Sequence, residues 1–78
     1  MKHIETALKQ GKEVIYNNEV FCEENFSDDF REAKCDFKNG SFRIYFNGAF
    51  VHLSKTFKSV ERKITQLKKD FSLQLKSW

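Results

Sequence analysis

Proline is absent from this 78-residue chain, and glycine occurs only three times. The lack of proline removes the residue that most often interrupts helices and strands, and it excludes proline-rich linkers and collagen-like repeats. The scarcity of glycine excludes flexible glycine-rich linkers as well. Two of the three glycines, Gly40 and Gly48, follow asparagine, and the Asn-Gly pair is typical of tight β-hairpin turns.

Cysteine and histidine are too few and too scattered to indicate a disulfide framework or a metal site. The chain has two cysteines, Cys22 and Cys35, and two histidines, His3 and His52. No two of them have the Cys-x-x-Cys or His-x-x-x-His spacing of metal ligands. The sequence therefore predicts no metal and no disulfide scaffold.

Long apolar runs are also missing. None exceeds about five residues, which is well short of a signal-peptide core or a membrane span. We therefore expect a cytoplasmic protein with reduced thiols and without a membrane partner.

The length predicts one domain over residues 1–78. A domain of this size hides only about 60% of the surface of its unfolded chain, which leaves little room for a deep catalytic pocket. No nucleophile stands with a base and an orienting group, and no carboxylates are paired as in acid–base catalysis. We therefore predict that the protein is not an enzyme, has no cofactor and takes no small-molecule substrate.

The charges of the chain are divided between its two halves. Residues 1–36 contain nine acids and five bases, a balance of −4, whereas residues 37–78 contain nine bases and two acids, a balance of +7. A basic surface of this kind suits nucleic acid or an acidic protein partner.

The first third of the chain predicts a helix and a hairpin. Residues 3–10 have apolar positions at helical spacing, and Gly11 stands where a glycine cap ends a helix. Residues 14–22 predict a β-hairpin that turns at Asn17-Asn18. Residues 23–32 predict an acidic connection, either a solvated loop held by its phenylalanines or one helical turn.

The two Asn-Gly pairs predict a three-stranded antiparallel meander. If each pair is a two-residue turn, both hairpin registers place the same apolar residues on one face. A slip of one residue at either turn would destroy this agreement. The nine residues of the predicted apolar face are Ala33, Cys35, Phe37, Phe42, Ile44, Phe46, Ala49, Val51 and Leu53.

The opposite face of the meander is mixed in character. Asp36, Arg43 and His52 are expected in one cross-strand row, which we interpret as a charge-pair row rather than a catalytic site. The next row is expected to hold Lys34, Tyr45 and Phe50. This face is either exposed or covered by residues 1–22, and the sequence leaves both open.

The last predicted element is a helix over residues 59–75. Its apolar positions follow one stripe at helical spacing, Ser59 is the expected N-terminal cap, and the stripe should pack on the apolar sheet face. The stripe consists of Phe57, Val60, Ile64, Leu67, Phe71 and Leu75. The whole chain is thus expected to be α+β: a short N-terminal helix, a hairpin, the meander and the C-terminal helix.

The segment NGAFVHLSKTFKSVE, residues 47–61, resembles the last turn, last strand and helix start of plant ethylene-response-factor DNA-binding domains and their phage relatives. It is also similar to the arm-binding domains of tyrosine integrases, and the likeness extends over residues 33–72. Those families read DNA with the outward residues of a three-stranded sheet backed by one helix. The resemblance implies that the residues facing DNA are Arg43, Tyr45, Phe50 and His52.

The leading functional hypothesis is nucleic-acid binding through the outward sheet face of the basic half. Aromatic side chains stack on bases, and lysine or arginine neutralises phosphates. The predicted contact residues are Lys34, Arg43, Tyr45, Phe50, His52, Lys55 and Lys58.

The alternative is an inhibitor that binds a host protein, of the anti-restriction or anti-CRISPR type. Heavy use of Lys, Phe, Asn and Ile without proline is compatible with an AT-rich phage or mobile-element genome. Such an inhibitor needs only a shaped, charged surface with a few aromatic anchors. It would meet its partner through the acidic residues 19–32, or bind an acidic host protein through the basic half.

Overall fold

The computed structural model describes residues 2–19 and 30–77. In chain order the elements are α1 (Lys2–Lys9), β1 (Val14–Asn17), β2 (Glu32–Lys38), β3 (Ser41–Phe46), β4 (Ala49–Ser54), α2 (Phe57–Phe71) and β5 (Gln74–Ser77). The strands form one antiparallel sheet in the order β4-β3-β2-β1-β5. The α+β class, the N-terminal helix and the packing of the second helix on the sheet are confirmed.

The first hairpin of the meander has the predicted turn and register. Both residues of Asn39-Gly40 and of Asn47-Gly48 have positive φ, as a two-residue hairpin turn requires. Cys35 of β2 lies opposite Ile44 of β3, and the whole β2–β3 ladder keeps this register. Cys35 is accordingly a small buried core residue.

The second hairpin keeps the predicted register only next to its turn. Tyr45 lies opposite Phe50 as expected, but Ile44 then lies opposite His52, so Val51 is an extra residue in β4. Such a β-bulge reverses which face the later residues of the strand occupy. The predicted pairing of Ile44 with Val51 is therefore wrong.

The bulge also moves two residues out of the predicted apolar face. Leu53 lies opposite Arg43, on the side of the sheet away from the helices, and is 57% exposed. Val51 is 41% exposed at the edge of the sheet. His52 turns instead toward the helix side, because it now shares a face with buried Ile44.

One hydrophobic core fills the space between the sheet and both helices. Ile4 and Leu8 of α1 join Val60, Ile64 and Leu67 of α2 in a single cluster on the inner face of the sheet. The sheet contributes the buried residues Val14, Tyr16, Ala33, Cys35, Phe42 and Ile44. Both helices therefore cover the same face.

The second helix begins before the predicted cap. Thr56 is its N-terminal cap residue, in extended conformation and without a side-chain capping hydrogen bond, and the helix starts at Phe57. Ser59 lies inside the first turn, so the prediction that Ser59 caps the helix is wrong.

The same helix ends earlier than predicted and is followed by a strand that the sequence reading missed. Ser72 adopts a left-handed conformation with φ of 57°, and the N–H of Leu73 donates to the carbonyl of Lys68, which closes the helix. Leu73 is buried, whereas Leu75 lies in β5 opposite Tyr16 of β1. Within residues 2–19 and 30–77, the predicted order, with every strand before the C-terminal helix, is corrected: β5 follows α2.

Strand β1 occupies the space between β2 and β5, and hydrogen bonds to both. Asn17 continues the strand, and neither Asn17 nor Asn18 has positive φ, so the predicted turn at these residues is wrong. Asn18 instead pairs with Arg31 through backbone and side chain, since its Oδ1 accepts the Arg31 N–H at 2.7 Å. The predicted returning strand at residues 20–22 and most of the acidic connection lie outside the described residues.

Candidate functional site

The outer face is the side of the sheet opposite the helices, and no described element covers it. Two cross-strand rows define it, one of four residues and one of three. The residues of these rows are Ile15, Lys34, Tyr45 and Phe50, and then Asp36, Arg43 and Leu53. The N-terminal helix, which the sequence allowed on this side, packs on the inner face instead.

The outer face presents a cluster of apolar and aromatic side chains toward the β4 edge. The rings of Tyr45 and Phe50 meet nearly at right angles with 5.6 Å between their centroids, a favourable edge-to-face contact. Phe50 is 53% exposed, and Leu53 in the neighbouring row is also exposed. Large apolar side chains grouped on a surface mark sites of interaction when they are contiguous.

Arg43 is fixed at the centre of this face by a paired hydrogen bond to Asp36. Its Nε and one terminal nitrogen donate to the two carboxylate oxygens of Asp36, each at 2.6 Å. The hydrogen bond from Arg43 to Asp36 raises the pKa of the guanidinium above its usual value. The guanidinium carbon lies 5.7 Å from the centroid of the Tyr45 ring, which adds a cation–π contact.

Lys34 is the second cation beside Tyr45. Its ammonium lies 5.8 Å from the ring centroid and 3.3 Å from a carboxylate oxygen of Glu13. Arg43 and Lys34 thus each face a carboxylate of the same chain, and much of their positive charge is balanced within the molecule.

Four of the seven predicted contact residues lie together on the outer face: Lys34, Arg43, Tyr45 and Phe50. The other three do not. His52 lies on the helix side, where its Nε2 is 2.9 Å from Oγ of Ser59. Lys55 is exposed in the loop after β4, and Lys58 lies on the solvent side of α2 beside Glu61.

Leu53 is the outer-face residue that sequence reasoning missed. The predicted row of Asp36, Arg43 and His52 contains Leu53 in place of His52, because the bulge shifts β4 by one residue. No turn or periodicity signal in the sequence marks this bulge.

Most of the basic charge of the C-terminal half lies on α2 rather than on the outer face. The helix carries five bases against two acids. The bases are Lys58, Arg62, Lys63, Lys68 and Lys69. Because α2 packs on the inner face, this charge and the exposed aromatic rings lie on opposite sides of the sheet.

Residues 2–19 and 30–77 offer little support for a metal site, a reactive thiol or a membrane-spanning helix. No three residues of the metal-ligating types His, Cys, Asp and Glu are grouped there in a way that could hold an ion. Burial raises the pKa of the Cys35 thiol to about 12, so it stays protonated and weakly nucleophilic near neutral pH. None of the described helices has the length and apolar character needed to cross a membrane.

No protein-family model, no curated protein and no solved structure matches this chain. The resemblance to ethylene-response-factor and integrase arm-binding domains therefore stays a prediction.

Proposed function

We propose that this chain is a non-catalytic binding protein that uses its outer face to contact another protein. The observation that carries the proposal is the exposure of Phe50 and Leu53 beside Tyr45 and an already paired Arg43. Aromatic residues and arginine are enriched at protein interfaces, whereas lysine, aspartate and glutamate are depleted there.

The electrostatics of the outer face favour a protein partner over nucleic acid. Nucleic-acid binding depends largely on lysine and arginine that neutralise phosphates. On this face a phosphate would compete with Asp36 for Arg43 and with Glu13 for Lys34. A protein partner requires apolar contact and matched hydrogen bonds, and it can make both without breaking these two ion pairs. The inhibitor hypothesis from the sequence is one form of this proposal.

The test is affinity capture from host lysate, with and without nuclease, followed by titration of the recovered protein. Phe50→Ala should weaken binding about tenfold or more, because truncating an aromatic hot-spot residue costs about 2 kcal/mol or more and about 1.4 kcal/mol is already tenfold. Leu75→Ala is the matched control, since Leu75 is also a half-exposed apolar residue but lies on β5. The Leu75→Ala variant should bind the recovered protein with the same affinity as the original chain.

Two results would contradict the proposal. One is recovery of a partner only through nucleic acid, so that nuclease treatment releases it. The other is an affinity that Phe50→Ala leaves unchanged.

Nucleic-acid binding is the second candidate, and the excess of three positive charges on α2 favours it. Fluorescence anisotropy with duplex DNA, single-stranded DNA and RNA at about 50 and 200 mM salt tests it, because phosphate-driven binding falls steeply over that range. A contact through the sheet predicts that Arg43→Ala and Tyr45→Ala weaken binding more than Lys68→Ala. A contact through α2 predicts the reverse order. No binding at the lower salt concentration would eliminate this candidate.

A further inference from the structure

In the sheet that the described residues form, the two edge strands differ in how readily they could pair with a further strand. Strand β5 has four residues and carries Lys76, and short edge strands with lysine resist pairing with another strand. Strand β4 has six residues and no lysine, arginine or carboxylate. Three of its side chains, Phe50, Val51 and Leu53, are large, apolar and exposed.

We propose that β4 pairs with β4 of a second copy of this chain, antiparallel and about a two-fold axis, so that the two sheets become continuous. The proposal goes beyond the function argued above, because it concerns backbone pairing at the edge of the sheet, although Phe50 and Leu53 belong to the outer face as well. A two-fold interface must be self-complementary, so the strand has to match its own reversed sequence.

The bulge supplies this self-match. In a regular strand Phe50 and Leu53, three positions apart, would lie on opposite faces. The extra residue Val51 places both on the outer face, since Phe50 lies opposite Tyr45 and Leu53 opposite Arg43. With the two-fold axis between Val51 and His52, Phe50 of each copy lies opposite Leu53 of the other. The two exposed apolar residues thus pair twice across the junction.

The charges near β4 also permit this arrangement. In the same register Lys55 lies opposite Gly48 of the second copy, so the two Lys55 residues are seven positions apart along the paired strands. At about 3.3 Å per residue, this separates the two Lys55 backbone positions by roughly 23 Å along the strands. That exceeds the Debye length of about 8 Å at physiological salt, so the repulsion between the two side chains is screened. A slip of one residue would place Phe50 opposite a polar residue, His52 or Ser54, of the second copy.

The experiment is sedimentation velocity of the full chain over a concentration series from micromolar to millimolar. The original chain should shift from the single-chain mass to twice that mass as its concentration rises. Val51→Lys and Val51→Glu should each abolish the shift, because they place like charges next to the axis. An equimolar mixture of these two variants should restore the double mass, since opposite charges then meet.

Leu75→Lys is the matched control, because Leu75 and Val51 are both 41% exposed and lie on opposite edge strands. It should dimerise as the original chain does. Circular dichroism checks that each variant is folded, and Leu53→Lys replaces Val51→Lys if the latter unfolds. A chain that stays at the single mass throughout overturns the proposal. So does a dimer that survives both charge variants, or a mixture that stays monomeric.

Discussion

At the scale of single residues, burial changes the acid–base chemistry of two groups in the core. Cys35 and Tyr16 both lie in the core, on neighbouring strands. Burial raises the pKa of the Cys35 thiol from 9.0 to about 12 and that of the Tyr16 hydroxyl from 10.0 to about 12. Both groups are therefore held in their neutral forms by the fold.

This shift predicts a loss of stability at alkaline pH. Below the unfolded-state values both states are protonated and the stabilisation is complete. Between pH 9.0 and about 12 the unfolded chain releases a proton from Cys35 that the folded chain retains, so the free energy of unfolding falls as pH rises. Urea unfolding at about pH 8 and about pH 11 measures this loss. Cys35→Ala should reduce it, and an equal loss in the variant would contradict the assignment.

Ile44 should be among the most sensitive positions in the core. It is fully buried at the centre of β3, between Cys35 and His52 on the flanking strands. Ile44→Ala should lower the free energy of unfolding by about 2–5 kcal/mol, because it removes apolar contact and leaves a cavity. Val51→Ala at the exposed bulge is the control and should cost far less, as measured by urea denaturation. Similar costs at the two sites would show that Ile44 is not a core residue.

At the scale of elements, the bulge in β4 links the strand to the second helix. It brings His52 to the inner side, where the ring nitrogen and Ser59 Oγ are within hydrogen-bond distance. Val51 and Leu53 of the same strand are exposed, whereas His52 makes this polar contact with the first turn of α2. The contact thus helps to set the position of the helix on the sheet.

A double-mutant cycle tests this link. His52→Ala and Ser59→Ala should each destabilise the fold, and the double variant should be more stable than the sum of the two effects implies. We expect a coupling energy of about 0.5–1.5 kcal/mol, the usual net value of a hydrogen bond. Thermal and urea unfolding measure it. Strictly additive effects would show that the two side chains do not interact.

At the scale of the whole molecule, the meander was predictable because its signals are local. Each Asn-Gly pair fixes a turn, and the β2–β3 register follows from it. The bulge was not predictable, since no local signal marks it and the contact that His52 makes there is with Ser59, a residue outside the strand. The end of α2 was missed for another reason: Leu67, Phe71 and Leu75 continue helical spacing beyond the point where Ser72 ends the helix. Four of the seven predicted contact residues fall on one face because neither error affects them. Lys34, Arg43 and Tyr45 lie on β2 and β3, and Phe50 precedes the bulge in β4.

The last strand should be essential for the stability of the entire domain. A variant truncated after Ser72 lacks buried Leu73 and leaves one edge of β1 unpaired. The loss of Leu73 alone should cost about 2–5 kcal/mol, a large part of the total stability of a small domain. Thermal unfolding and amide exchange at Val14–Asn17 measure the effect. Unchanged protection of β1 would show that β5 is dispensable, and Leu75→Ala serves as a control that keeps the strand.

The position of β1 also constrains the order of folding. Tyr16 lies opposite Leu75, a partner 59 residues later in the chain, so one side of β1 finds its strand only after α2 and β5 have been synthesised. Contacts between such distant residues carry a large loop-closure entropy and slow the search for the native state. On the ribosome, the β2–β3–β4 meander can therefore assemble from local contacts first. The pairing of β1 with β5 comes later, because β5 is the last of the described elements to be synthesised.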